Sequence, residues 1–66
     1  MSQVDLIIQY ENGELDDQQV VFLFADLIAT GQAWALQGSY GRTARKLIEA
    51  GWIDNKGNVS LNVFEL

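Results

Sequence analysis

The sequence predicts a mostly α fold: one small domain of three to four short helices with a C-terminal β-hairpin or single strand. Three observations predict it. Apolar residues recur at helical spacing over residues 3–11, 16–30 and 40–50. Glycine stands just beyond each run, at Gly13, Gly31 and Gly51, and residues 59–63 switch to apolar/polar alternation. The 66 residues make a single domain, 1–66, which is 48% hydrophobic and free of proline, a composition that suits a packed core. A domain this short buries only about 60% of its unfolded surface, so its core is marginal without help. Cysteine and histidine are both absent, so neither a disulfide nor a zinc site of the usual ligand spacing can staple it.

The first helix is expected over about residues 3–11. Ser2 to Asp5 reads as a capping box, Val4, Ile7 and Ile8 share one face with Leu6 and Tyr10 beside it, and Gly13 supplies a left-handed stop. The second helix has the strongest start signal, Asp16 as cap with Gln19 three residues on and Leu15 placed to staple Val20. It should run to about Thr30. Val20, Leu23, Phe24, Leu27 and Ile28 form its core stripe, while Val21, Phe22 and Ala25 make it apolar around much of its girth. That girth predicts a homo-oligomer built on this helix.

Gln32 to Gln37, between Gly31 and Gly38, is expected as a short linker helix that docks Trp34 and Leu36 into the core; a ligand platform is the alternative role for Trp34. Ser39 is the natural cap of the next helix, about residues 40–50. Its buried face is Tyr40, Ala44, Leu47 and Ile48, and Arg42, Arg45, Lys46 and Glu49 line the opposite face. Trp52 and Ile53 precede the turn-rich Asp54-Asn55-Lys56-Gly57-Asn58, after which Val59, Leu61 and Val63 alternate with Ser60 and Asn62. A hairpin or strand here must pack on the helices or pair with another chain.

Charge is unevenly spread on a chain of formal net charge -5. Residues 1–41 carry six acids and no cation; residues 42–66 carry four cations against three acids. No apolar run reaches the ~18 residues of a membrane span, and no signal peptide is visible, which predicts a soluble intracellular protein. Nucleophilic catalysis with a histidine base is excluded by composition. The paired Asp16 and Asp17 are explained by capping and the helix dipole rather than acid-base chemistry. Glu11, Glu14, Asp16 and Asp17 gather oxygen ligands, but not at calcium-loop spacing, so neither enzyme activity, metal nor cofactor is expected.

Two binding readings remain. Gly38, Ser39, Gly41 and Arg42 could form an anion site, with free N–H groups at a helix start and a guanidinium in the first turn. Alternatively, residues 33–63 fit a reduced winged helix, with Arg42, Arg45 and Lys46 facing DNA and Lys56 at the tip of the wing. Six acids and few cations argue against high affinity for phosphate backbone.

The segments YENGELDD and LIATGQAWALQGSYGRTARKLIEAGWI resemble a family of short uncharacterised tailed-bacteriophage proteins. Trp34, Leu36, Gln37, Gly38, Tyr40, Gly41 and Arg42 carry the core of the likeness. The resemblance implies a phage accessory protein in the cytoplasm of the infected bacterial cell. The expected function is non-enzymatic: binding and modulating a host or phage macromolecule through Trp34, Tyr40, Arg42, Arg45 and Lys46. A winged-helix-like DNA-binding regulator is the alternative.

Overall fold

Asp16 starts the element on which the fold is built. Its carboxylate accepts from the Gln19 N–H at 2.8 Å, and the Gln19 side chain accepts from the Asp16 N–H at 2.9 Å, the reciprocal capping box expected from the sequence. In this computed structural model, which describes residues 3–36 and 38–66, the order is α1 (Gln3–Glu11), α2 (Asp17–Ala29), α3 (Gln32–Ala35), α4 (Gly38–Glu49) and a 3-10 helix (Leu61–Glu65). The protein is mostly helical.

The central element is α2, which packs against α1, α3, α4 and the 3-10 helix. Leu23, Phe24, Leu27 and Ile28 are buried as the helical stripe requires, and Val21 and Ala25 are buried with them. The covering expected from another subunit therefore comes, for Val21 and Ala25, from the same chain. Phe22 is left 43% exposed. The Cα radius of gyration is 10.8 Å, close to the ~11 Å of a closed globule of this length.

Helix α1 ends in a Schellman motif: Gly13, at φ 73°, donates to the Tyr10 carbonyl at 3.0 Å, and Glu14 donates to that of Gln9 at 2.9 Å. Its inward face is Leu6, Ile7 and Tyr10, whereas Val4 and Ile8, expected inside, are exposed. Tyr10 sets that rotation by entering a ring cluster, edge-on to Phe24 at 5.3 Å and tilted to Tyr40 at 5.7 Å. The expected Ser2 capping box lies outside the described residues.

Helix α3 is a single turn with one inward position, and Ala33 takes it, fully buried. Trp34 and Leu36, expected in the core, are 50% and 37% exposed. Helix α4 begins at Gly38, so Ser39 sits inside the first turn rather than at the cap. The cap position, residue 37, is outside the described residues. Tyr40 and Ala44 are buried and Leu47 and Ile48 half-buried, as expected. A second Schellman motif closes α4: Gly51 donates to Ile48 and Trp52 to Leu47, both at 3.1 Å.

The expected hairpin or strand is replaced by less regular structure. Among the described residues there is one antiparallel bridge, Ile53 to Val59, around a loop that Asp54 organises. The Asp54 carboxylate accepts from the N–H groups of Lys56 (2.8 Å) and Asn58 (2.9 Å) and from the Asn58 amide (2.9 Å). Beyond the bridge Ser60 captures the Asn62 N–H at 3.3 Å, turning the chain into the 3-10 helix where alternation predicted a strand. Val63 is then fully buried while Leu61, expected on the same face, is 82% exposed. Gly57, at φ 91°, lays the loop on α2: a Cβ there would stand 2.6 Å from the Ala25 carbonyl oxygen and 2.8 Å from Ala29 Cβ. Among the described residues no helix is long and apolar enough to cross a membrane.

Candidate functional site

The exposed side of α3 and α4 gathers most of the residues singled out from the sequence. Because α4 turns Tyr40 and Ala44 toward the core, the i, i+3, i+4, i+7 set Arg42, Arg45, Lys46 and Glu49 falls outward, and all four are exposed. None of the three cations makes an ion pair among the described residues. Six acids in the first forty-one residues thus leave the α4 cations unneutralised by contact.

Trp34 borders this face from α3. Its ring lies across Gly41, where an added Cβ would come 3.7 Å from Trp34 Cε3 and 3.6 Å from the Ala33 carbonyl oxygen. These are ordinary contact distances, so Gly41 permits the approach of α3 without being the only residue that could. Half-buried against α4 and half open, Trp34 presents an apolar surface at the edge of the cationic face. Tryptophan and arginine are among the side chains most enriched at positions that dominate binding energy.

Arg42 folds back over the start of its own helix. A Cβ on Gly38 would meet its Nη1 at 3.2 Å, so the guanidinium lies over the first turn, where the expected anion site was placed. Gly38 and Ser39 are exposed there and Gly41 is partly covered. A cation in that position opposes the helix dipole.

Tyr40 does not join this face. It is 6% exposed, stacks on Phe24 at 5.9 Å, and its hydroxyl donates to Glu11 Oε1 at 2.8 Å. Burial first, and then the Glu11 carboxylate, push its pKa up to about 12. Sequence periodicity already put Tyr40 on the buried side of α4; nothing in the sequence paired it with Glu11. That bond fastens the first turn of α4 to the last turn of α1 and so fixes where the exposed cations stand. Lys56 lies apart, on the Asp54 loop, where its charge helps hold the Asp54 carboxyl below the usual carboxylate range, after the Asn58 and Lys56 hydrogen bonds.

Sequence reasoning missed a second exposed feature. Phe22 and Phe64 meet at 6.0 Å between ring centroids while remaining 43% and 65% exposed. The strand expectation ran only from Val59 to Val63 and gave Phe64 no neighbour, whereas the 3-10 helix brings it to α2.

No curated protein and no solved structure matches this chain. One family model does, over residues 1–65, under the description Domain of unknown function (DUF7417). Covering almost the whole chain, that match establishes that the protein belongs to the DUF7417 family.

Proposed function

We propose that this protein is a non-enzymatic binding module of the phage accessory type, which engages a host or phage macromolecule through the α3–α4 face. The observation that carries this reading is the set of three exposed cations, Arg42, Arg45 and Lys46, without an ion pair among the described residues, beside a half-exposed tryptophan. A solvated helix usually intersperses its charges with partners at i+3 or i+4. Here Glu49 stands at that spacing from Arg45 and Lys46 without forming an ion pair with either among the described residues, and the three cations face outward on a chain of net charge -5. The preferred partner is a protein with an acidic surface. Such a partner would gain from the cations at a patch where Trp34 adds apolar contact, and the encounter proposed, in keeping with the phage-type likeness, is one in the cytoplasm of an infected cell.

The same three cations favour a second reading, a DNA-binding regulator with α4 in the groove. Its support is thinner. With one bridge in place of a hairpin, the Asp54 loop is a small wing, and α3 is too short to brace α4 across a DNA backbone. Self-association stays within this proposal only through Phe22, because the rest of α2's girth is covered. The test is binding by wild type and by Arg45→Glu/Lys46→Glu. Capture of a protein partner that the double variant loses supports the protein reading. A salt-sensitive mobility shift of duplex DNA that the same variant abolishes would replace it with the regulator.

A further inference from the structure

Phe22, Leu61 and Phe64 form one apolar surface, remote in construction from α4. In a 3-10 helix residues i and i+3 eclipse, so Leu61 and Phe64 project from the same side of the Leu61–Glu65 turn. Val63 turns the other way, fully buried, and its carbonyl accepts from the Gln18 side chain at 3.2 Å, pinning the turn to α2. Phe64 then rests against Phe22, yet the three side chains keep exposures of 43% for Phe22, 82% for Leu61 and 65% for Phe64. The 3-10 helix packs on α2 and not on α4.

We propose that this surface docks a basic amphipathic segment of another protein. Acids stand around it: Asp26 is exposed one turn beyond Phe22 on the same side of α2, Glu65 is exposed beside Phe64, and Asp16 and Asp17 line a recess with Leu66 and with Gln18, the residue that holds the 3-10 helix through Val63. Lys56 is the cation of the loop that touches α2, and Asp54 already attracts it. A second copy of the chain fits less well. A standard interface buries about 800 Å² per partner, roughly a fifth of this molecule's 4358 Å², and two copies of charge -5 would bring their acidic rims together. A partner with leucine-like residues on one face and lysines along its edges meets both the apolar patch and its rim. This surface does not depend on the α4 reading.

The test uses the full chain with two dye-labelled helical probe peptides, one of leucine and lysine, the other of leucine and glutamate. Fluorescence anisotropy should show binding of the lysine peptide alone, weakened about tenfold or more in Phe22→Ser/Phe64→Ser. Amide resonances of Phe22, Leu61 and Phe64 should move on titration. Leu61→Ser, at a position almost wholly in solvent, should weaken binding in the same direction and serves if the double variant fails to fold. Equal binding by both peptides, unchanged affinity in Leu61→Ser, or shifts confined to α4 would overturn the proposal. So would a dimer in sedimentation that Leu61→Ser dissociates, which would make a second copy the occupant.

Discussion

Replacing Gly57 by alanine should be the most damaging single-methyl change in this chain. At φ 91° a non-glycine residue is strained by about 1–2 kcal/mol. The new Cβ would also meet the Ala25 carbonyl oxygen at 2.6 Å and the Ala29 backbone nitrogen at 2.9 Å. Neither is the end of a flexible side chain, so the loop must lift from α2, and overpacking of this kind costs about 1–3 kcal/mol more. Together these give about 2–5 kcal/mol, against a stability on the order of 3–10 kcal/mol for a domain of this length. Gly13→Ala is the control, because φ is 73° there and open space surrounds the added Cβ; it should carry the backbone strain alone. Thermal unfolding followed by circular dichroism should put the Gly57 variant about 5–20 °C below the Gly13 variant. Equal melting temperatures would refute the packing of the Asp54 loop on α2.

Tyr40→Phe should lose about 1–2 kcal/mol in urea unfolding by removing the hydrogen bond to Glu11 while keeping the ring stack. In the wild type Tyr40 has a folded pKa of about 12 against an ordinary value of 10.0, so its neutral form is the one favoured by folding. That contribution is complete below pH 10 and disappears as pH rises toward 12. Alkaline unfolding should lose that dependence in Tyr40→Phe. At the acid end the sign reverses for Asp54, whose folded pKa is depressed: its contribution is present above the ordinary carboxylate pKa and fades as pH falls below it. Asp54→Asn should flatten that acid limb. Asp16→Ala should cost about 1 kcal/mol through the lost cap on α2, readable by the same urea titration. Arg45→Glu/Lys46→Glu should cost about 1 kcal/mol, because both new acids stand within a turn of Glu49 and one lies in the last turn of α4 against the helix dipole.

The helices were legible because their signals are local. Asp16 with Gln19, and the glycines at 13, 31 and 51, are start and stop devices contained within a few residues. Burial around α2 was legible only in part, since Val21 and Ala25 lie off the stripe and owe their burial to a helix surrounded on several sides. Which residue of a one-turn helix faces inward is settled by space between its neighbours, so Ala33 displaced Trp34 and Leu36 from the core. The tail misled for a similar reason: Ser60 and the absence of a pairing strand among the described residues outweighed a five-residue alternation. Of the candidate site, the cationic face followed from helical period alone. The place of Tyr40 as a strut to Glu11 needed a contact across twenty-nine positions.

Whether the α3–α4 face is the contact surface can be read from one comparison of three proteins. Tagged wild type, Arg45→Glu/Lys46→Glu and Trp34→Ala are each immobilised after circular dichroism shows them folded, and proteins retained from bacterial lysate are identified at physiological salt. A specific protein should be held by the wild type and lost from both variants. Retention of that same protein by the charge-reversed variant would contradict it.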